Sequence, residues 1–230
     1  MTAPLPKVMH AISPAARKHG VGFALLGLFI FAISMFLWLI DAPLPTPAWA
    51  LLWIISAALI FLGWAKVFEP EISLNITPGQ IEYLHHRGTW QLDWDNVVRV
   101  DCPRTHKGLD AIELPYVGFC LRDIEPILKS ISPRLSTHLI SEQRHLLTTA
   151  LRHERPDIQD YSPYFDIPDA FIAPSGTRYT GVQALFAIRC RQLRELLGYE
   201  LYVPESALDR PLDEFIQWLR QLQASRNEHL

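Results

Sequence analysis

Three side chains in the second half of the chain have a spacing that could hold a metal. His138, Glu142 and His145 stand at i, i+4 and i+7, on one side of a helix if the segment is helical. Glu142-x-x-His145 has the form of half a di-iron carboxylate site. A second Glu-x-x-His occurs at Glu82 and His85, in an alternating stretch that reads as a strand, where the two side chains leave on opposite faces. No further helix supplies the missing ligands, so a solvated helix face is the plainer reading. A metal-dependent protein or enzyme built on His138, Glu142 and His145 is the alternative one. His85 and His86 are adjacent, and alternation predicts rings on opposite faces of a β-hairpin tip.

Other chemistry is thinly represented. Cys102, Cys120 and Cys190 are odd in number and far apart, with no CxxC pair. They read as free thiols in a reducing compartment, with Cys102 and Cys120 small core residues in or beside strands. There is no Walker A loop, no G-x-G-x-x-G and no G-x-S-x-G elbow, so nucleotide and serine-hydrolase chemistry have no support and no cofactor is expected. Arg189, Arg191 and Arg194 form a basic stretch, a candidate contact for anionic headgroups or an acidic partner. The formal net charge of −3 weighs against nucleic acid as a partner.

The first 68 residues read as a membrane anchor. Gly20 to Ile40 carries no charge, and Ala48 to Phe68 is charged only at Lys66. About 20 apolar residues at 1.5 Å each span a hydrocarbon core of ~30 Å. Between them lies DAPLPTP, whose three prolines cannot continue a helix, so two transmembrane helices (about 20–40 and 48–68) form a tight helical hairpin. Arg17, Lys18 and Lys66, with Trp38 and Trp49, are expected as membrane-edge anchors. Lys and Arg flank the outer ends and are missing from the loop, so the positive-inside rule places both termini in the cytoplasm.

Residues 69–230 read as one cytoplasmic α+β domain. Short alternating runs over 71–76, 81–85, 89–94 and 97–100 predict an antiparallel meander, and 114–121 a further strand. Arg104 to Asp110 is polar and predicts a loop. A helical insertion occupies about 124–197: one helix starts at Ser132-Pro133, and another at a capping box of Thr180 and Gln183 that stops at Gly198. Glu200 to Val203 predicts a last strand, and Asp209 caps a final helix with Asp213 and Glu214 in its first turn.

Two stretches carry a resemblance. ISLNITPGQIEYLHHRGTWQLDWDNVVRV resembles the opening strands of bacterial pleckstrin-homology-like (PH-like) domains, on Thr77, Gly79, Ile81, Trp94 and Val97. GYELYVPESALDRPLDEFIQWL resembles the last strand and capping helix of that fold. The whole chain resembles a proteobacterial two-transmembrane family of unknown function, on LPYVGF, ISPRL, EQRHLL and LDRPLDEF. The resemblance implies a transmembrane helical hairpin followed by a PH-like antiparallel sheet or barrel with inserted helices and a C-terminal capping helix. It supplies no activity. The expectation is an inner-membrane protein, multi-pass, that touches lipid through its two helices. Its domain is a non-enzymatic interaction module for a protein partner or membrane component, meeting it at a sheet edge or in the groove beside the last helix.

Overall fold

Two apolar runs become two helices, α1 (Gly20–Leu39) and α2 (Thr46–Val67). The computed structural model describes residues 10–13, 20–67, 73–107 and 110–228. The chain divides into two units, Ser13–Ile72 and Met1–Ile12 with Ser73–Leu230.

In the first unit, each helix holds 19 residues long and apolar enough to cross a membrane. Phe29, Phe36, Ile54 and Phe61 are exposed, an outward apolar surface that water would not tolerate. The helices meet through small residues. A Cβ added to Gly27 would lie 2.8 Å from the Ile60 amide nitrogen, and one on Gly63 would collide with the Ala24 backbone. Close backbone approach of this kind replaces hydrophobic driving force where the surroundings are themselves apolar. Ser34 and Ser56 are buried and donate to the carbonyls of Phe31 (2.8 Å) and Trp53 (2.9 Å), so neither hydroxyl is left unpaired. Trp38 ends α1 and Trp49 lies in the first turns of α2, at the loop end; Lys66 falls in the last turn of α2. Arg17 and Lys18 lie outside the described residues.

The described residues of the second unit hold two larger antiparallel sheets and two two-stranded ladders. The first has the order β1 (His10–Ile12), β2 (Leu74–Ile76), β3 (Gln80–His85), β4 (Gly88–Asp93). Strand β1 belongs to a stretch expected within the anchor, yet it pairs with β2 at His10↔Ile76 and Ile12↔Leu74. Three residues before an apolar run give too short a pattern to read as a strand. A 3-10 turn at Trp94–Asn96 leads into the second sheet, of order β11 (Leu201–Pro204), β8 (Tyr116–Leu121), β5 (Val97–Asp101). The architecture is α+β with antiparallel sheets and a closing helix. Of the expected sheet or barrel, the chain forms sheets: among the described residues no ladder joins the four-stranded and three-stranded sheets.

Among the described residues, four α-helices complete the unit: α3 (Glu125–Ser130), α4 (Pro133–Glu154), α5 (Gly181–Leu197) and α6 (Leu212–Glu228). Ser132 caps α4 by accepting from the Leu135 amide at 3.2 Å, and Gly198 ends α5 with φ 84°. The capping box at Thr180 does not form, because Gln183 instead donates to the Leu128 carbonyl at 3.0 Å. Asp209 does not cap α6; it bonds the Arg210 guanidinium, and the Pro211 carbonyl takes the first helical hydrogen bond, from Phe215. The polar stretch after Arg104 is a β-hairpin rather than a loop, β6 (Arg104–Lys107) with β7 (Asp110–Glu113). Both of its strands carry charges at exposed positions, which hides the alternation. Between α4 and α5 the chain is irregular apart from a 3-10 turn at Ser162–Phe165 and a short ladder, β9 (Phe171–Ile172) with β10 (Arg178–Tyr179).

The main core lies between the sheets and α6. Ile81, Trp90, Leu92, Phe119, Leu121, Phe215 and Leu219 are buried there, with the Trp90 and Phe119 rings edge to face at 6.2 Å. Fully burying side chains of this size is worth about 2–3 kcal/mol each. A second cluster, with Leu147, Leu151, Leu193 and Tyr202, joins α4 and α5 to the second sheet. Sheet edges are covered from outside: Arg220 and Gln223 of α6 donate to the Val100 and Val97 carbonyls of β5, and Ser132 donates its amide to Thr89 of β4.

Ser73, the first described residue after α2, is buried at a junction. Its amide donates to the Ile12 carbonyl at 2.8 Å, its carbonyl accepts from the Leu84 amide at 2.8 Å, and its hydroxyl faces the carbonyls of Ile12 and Ala207. Replacing Ser73 by Ala leaves buried carbonyls short of a donor and is expected to destabilise the domain by about 1–3 kcal/mol. Urea titration of the detergent-solubilised chain measures this, and an unchanged midpoint would contradict it.

Candidate functional site

The residues of the alternative metal reading, His138, Glu142 and His145, are not grouped as a metal site among the described residues. His138 Nε2 lies 3.1 Å from Glu142 Oε1 on α4, but off the direction of a hydrogen bond. His145 is exposed one turn further on. Among the described residues no group of three or more His, Cys, Asp or Glu has the arrangement of a metal site.

His138 instead meets the tip of the β3–β4 hairpin. Its ring stacks on His85 at 4.6 Å and lies edge-on to His86 at 5.9 Å, and the rings of His85 and His86 are 4.0 Å apart. The expectation of opposite faces fails because His86 is already in the turn, where strand alternation no longer holds. Gly88, with φ 138°, makes the turn possible, and a Cβ there would collide with Ser132 Oγ at the start of α4. The Arg87 amide donates to His85 Nδ1 at 3.3 Å and its Nε to His86 Nε2 at 3.1 Å. Burial, then the neighbouring His86, His138 and Arg87, push the His85 ring down to about 4. Burial, Arg87 and His138 also lower His86, with Glu142 opposing. Near neutral pH His85 and His86 are therefore uncharged.

The three arginines of the basic stretch part company. Arg194 donates to the Leu121 carbonyl at 3.0 Å and to Glu200 Oε1, while Glu200 Oε2 accepts from the Leu121 amide at 3.0 Å. That pair stitches α5 to β8; burial raises the Glu200 carboxyl, against the pull of the Leu121 amide and Arg194. Arg191 is exposed, 6.0 Å from the Phe171 ring. Arg189 is 3% exposed, and its Nε and Nη1 have no hydrogen-bond partner.

Around Arg189 lie residues that nothing in the sequence joins. The Phe165 ring has the Arg189 guanidinium at 5.3 Å and that of Arg144, from α4, at 5.1 Å. Gln192 donates to the Tyr164 carbonyl at 3.2 Å, holding the 3-10 turn in place. On the same two helices, the Oε1 atoms of Gln143 (α4) and Gln192 (α5) are buried without partners. Burial lowers the Arg189 pKa and Arg144 adds to this; the Cys190 thiol opposes. An uncompensated buried charge costs several kcal/mol, whereas a cation–π contact returns about 0.5–2, and here two cations share one ring. The i, i+3 spacing of Arg189 and Gln192 places them on one face, but no pattern announces that Phe165 arrives from an irregular segment.

The thiols are held protonated by burial. Burial raises all three, first among the causes in each case: Cys102 to about 11, and Cys120 and Cys190 upward as well. Cys102 donates from Sγ to the Leu114 carbonyl at 3.3 Å. Beside it a cleft of about 380 Å³ runs along α6, edged by Asp101, Glu113, Asp213, Arg104 and Arg220. Arg220 pairs with Asp101 at 2.5 Å and Arg104 with Glu113 at 2.8 Å.

The chain belongs to the family described as "Protein of unknown function (DUF2982)", whose model matches residues 74–225, from β2 into α6. No curated protein and no solved structure matches the chain.

The histidine cluster has a pH signature. Above 6.5 His85 is neutral folded and unfolded, so stability is full. As pH falls toward 4 the unfolded chain takes up a proton that folded His85 refuses, and stability drops. Thermal melts between pH 7 and 4 are expected to fall more steeply for the native chain than for His85→Gln. Parallel curves would contradict the buried, neutral ring.

Proposed function

We propose that this family member is a membrane-tethered, non-enzymatic interaction module of a bacterial inner membrane, with a PH-like domain on the cytoplasmic side. The observation that carries the reading is the position of the apolar helices: they are inserted between β1 and β2 of one sheet. Two spans inserted this way return the chain to the side it left, and both flanks then belong to one folded domain.

The PH-like part of the reading has support in the residues of the resemblance. Trp94 Nε1 donates to the Thr77 carbonyl at 2.9 Å, and the Trp94 amide donates to Gly79 at 3.2 Å. Ile81 and Val97 are buried beside them. A four-stranded and a three-stranded antiparallel sheet with a C-terminal helix suit that fold. Cytoplasmic termini follow from the Lys and Arg outside both helices and none in the loop, and the free cysteines agree.

A protein partner fits the cleft beside α6 better than the sheet edges at β4 and β5, which are already covered. The cleft offers paired charges of both signs, suited to a polar peptide segment. In that cleft the Cys102 thiol is held protonated and the described lining carries no histidine, which favours an interaction surface over nucleophilic catalysis.

A photocrosslinking residue at Gln217, exposed in the cleft, tests the assignment in cells. One recurrent crosslinked protein, reduced by Asp213→Lys, is expected. Crosslinks no different from those at the exposed α4 position Glu142 would contradict it. A C-terminal alkaline phosphatase fusion is expected to be inactive, and an active one would reverse the topology.

A further inference from the structure

Arg189 has lost water without gaining a counterion among the described residues. Its side chain is 3% exposed, Nε and Nη1 are unpartnered, and the charged group acting on it is another cation, Arg144. Ion pairs occupy the other interior charges: Glu200 has Arg194, and Glu125 has Lys129 at 3.0 Å. Arg189 and Arg144 both lie over Phe165, so α4, α5 and the 3-10 turn converge at this level. Two buried acceptors are also unused, Gln143 Oε1 on α4 and Gln192 Oε1 on α5.

These unfilled valences describe a complement. It must offer oxygens and negative charge to the guanidinium groups. It must also offer a hydrogen to a glutamine oxygen. Sulfate, fully ionised near neutral pH, has the oxygens without the hydrogen. Inorganic phosphate, which keeps at least one hydrogen near neutral pH, has both, and a phosphate monoester has both in its singly charged form.

We infer that Arg189, Arg144, Gln143 and Gln192 form a binding site for a phosphate group, free or esterified, between α4 and α5 beneath Phe165. Half-buried Phe165 covers the site and leaves when phosphate enters. The site goes beyond the tether reading, since phosphate binding in detergent solution does not depend on where the protein resides.

The test uses the detergent-solubilised full chain at pH 7 and constant ionic strength. Inorganic phosphate, sulfate and chloride are titrated while the melting temperature is followed. Phosphate at ten times its dissociation constant is expected to raise Tm by at least about 3 °C, saturably, with a smaller response to sulfate and none to chloride. Arg189→Met, which removes the unpaired charge, is expected to melt at or above the native temperature without phosphate and to lose the response. Arg144→Met is expected to fold and to weaken phosphate binding about tenfold. Nanodiscs of phosphatidylcholine with and without phosphatidate assign the source: if phosphatidate abolishes the response to inorganic phosphate, the group is a lipid's, and if not, it is soluble. No saturable phosphate response, an equal response to sulfate, or a response unchanged in both Arg189→Met and Arg144→Met would overturn the site.

Discussion

The structure turns on Ser73, where the two sequence flanks of the apolar helices are joined within one sheet. The strand entering the helical pair ends at Ile12, and the chain leaving it resumes at Ser73, bonded to Ile12 through both its amide and its hydroxyl. The same residue accepts from Leu84 of β3 and reaches Ala207, just before the run into α6. Three remote parts of the sequence therefore share one buried polar group. Such a group is far more expensive to leave unsatisfied than it is valuable when paired, which fixes the register of β1 on β2. His10 adds an apolar contact at the same place, its ring edge-on to Trp218 of α6 at 5.1 Å.

From that junction the rest follows as packing. Once β1 to β4 are in register, Ile81, Trp90 and Leu92 present one apolar face, and Phe119, Leu121 and Phe215 cover it. The second sheet has two jobs. One face closes the main core, and the other gives α4 and α5 a surface to bury Leu147, Leu151 and Leu193. Glu200 and Arg194 pin α5 to the central strand β8. Against this consistent background Arg189 is a local conflict, a charge at a buried helix position with no counterion. Conflicts of that kind concentrate where a fold is shaped for something other than its own stability.

Much of this was legible in the residues. Long uncharged runs gave the helices, because length and polarity alone decide that reading. Trp90-x-Leu92-x-Trp94 gave a buried strand face, and Ser132-Pro133 and Gly198 gave helix limits to within a residue. What escaped was set by tertiary contact. Strand β1 has too few residues to show a period, and the β6–β7 hairpin is too exposed to show apolar alternation. The site residues were hardest. Arg189, Arg191 and Arg194 look alike in sequence, and only their neighbours (Phe165, Phe171 and Glu200) separate a buried charge from a surface one and from a structural ion pair. His85 and His86 sit at the hairpin tip that the pattern predicts, but the two-residue turn cancels strand alternation and brings their rings together.

The central claim is that the helical pair is an insertion into a sheet rather than an appendage at its start. Hydrogen–deuterium exchange on the chain in nanodiscs measures this at the peptide containing Ala11 and Ile12. The account predicts slow exchange there, close to that of Asn75 and Ile76 in β2, and a clear loss of protection in both strands when Ser73 is changed to Ala. Exchange at Ala11 and Ile12 as fast as in an unstructured peptide, with β2 still protected, would contradict it.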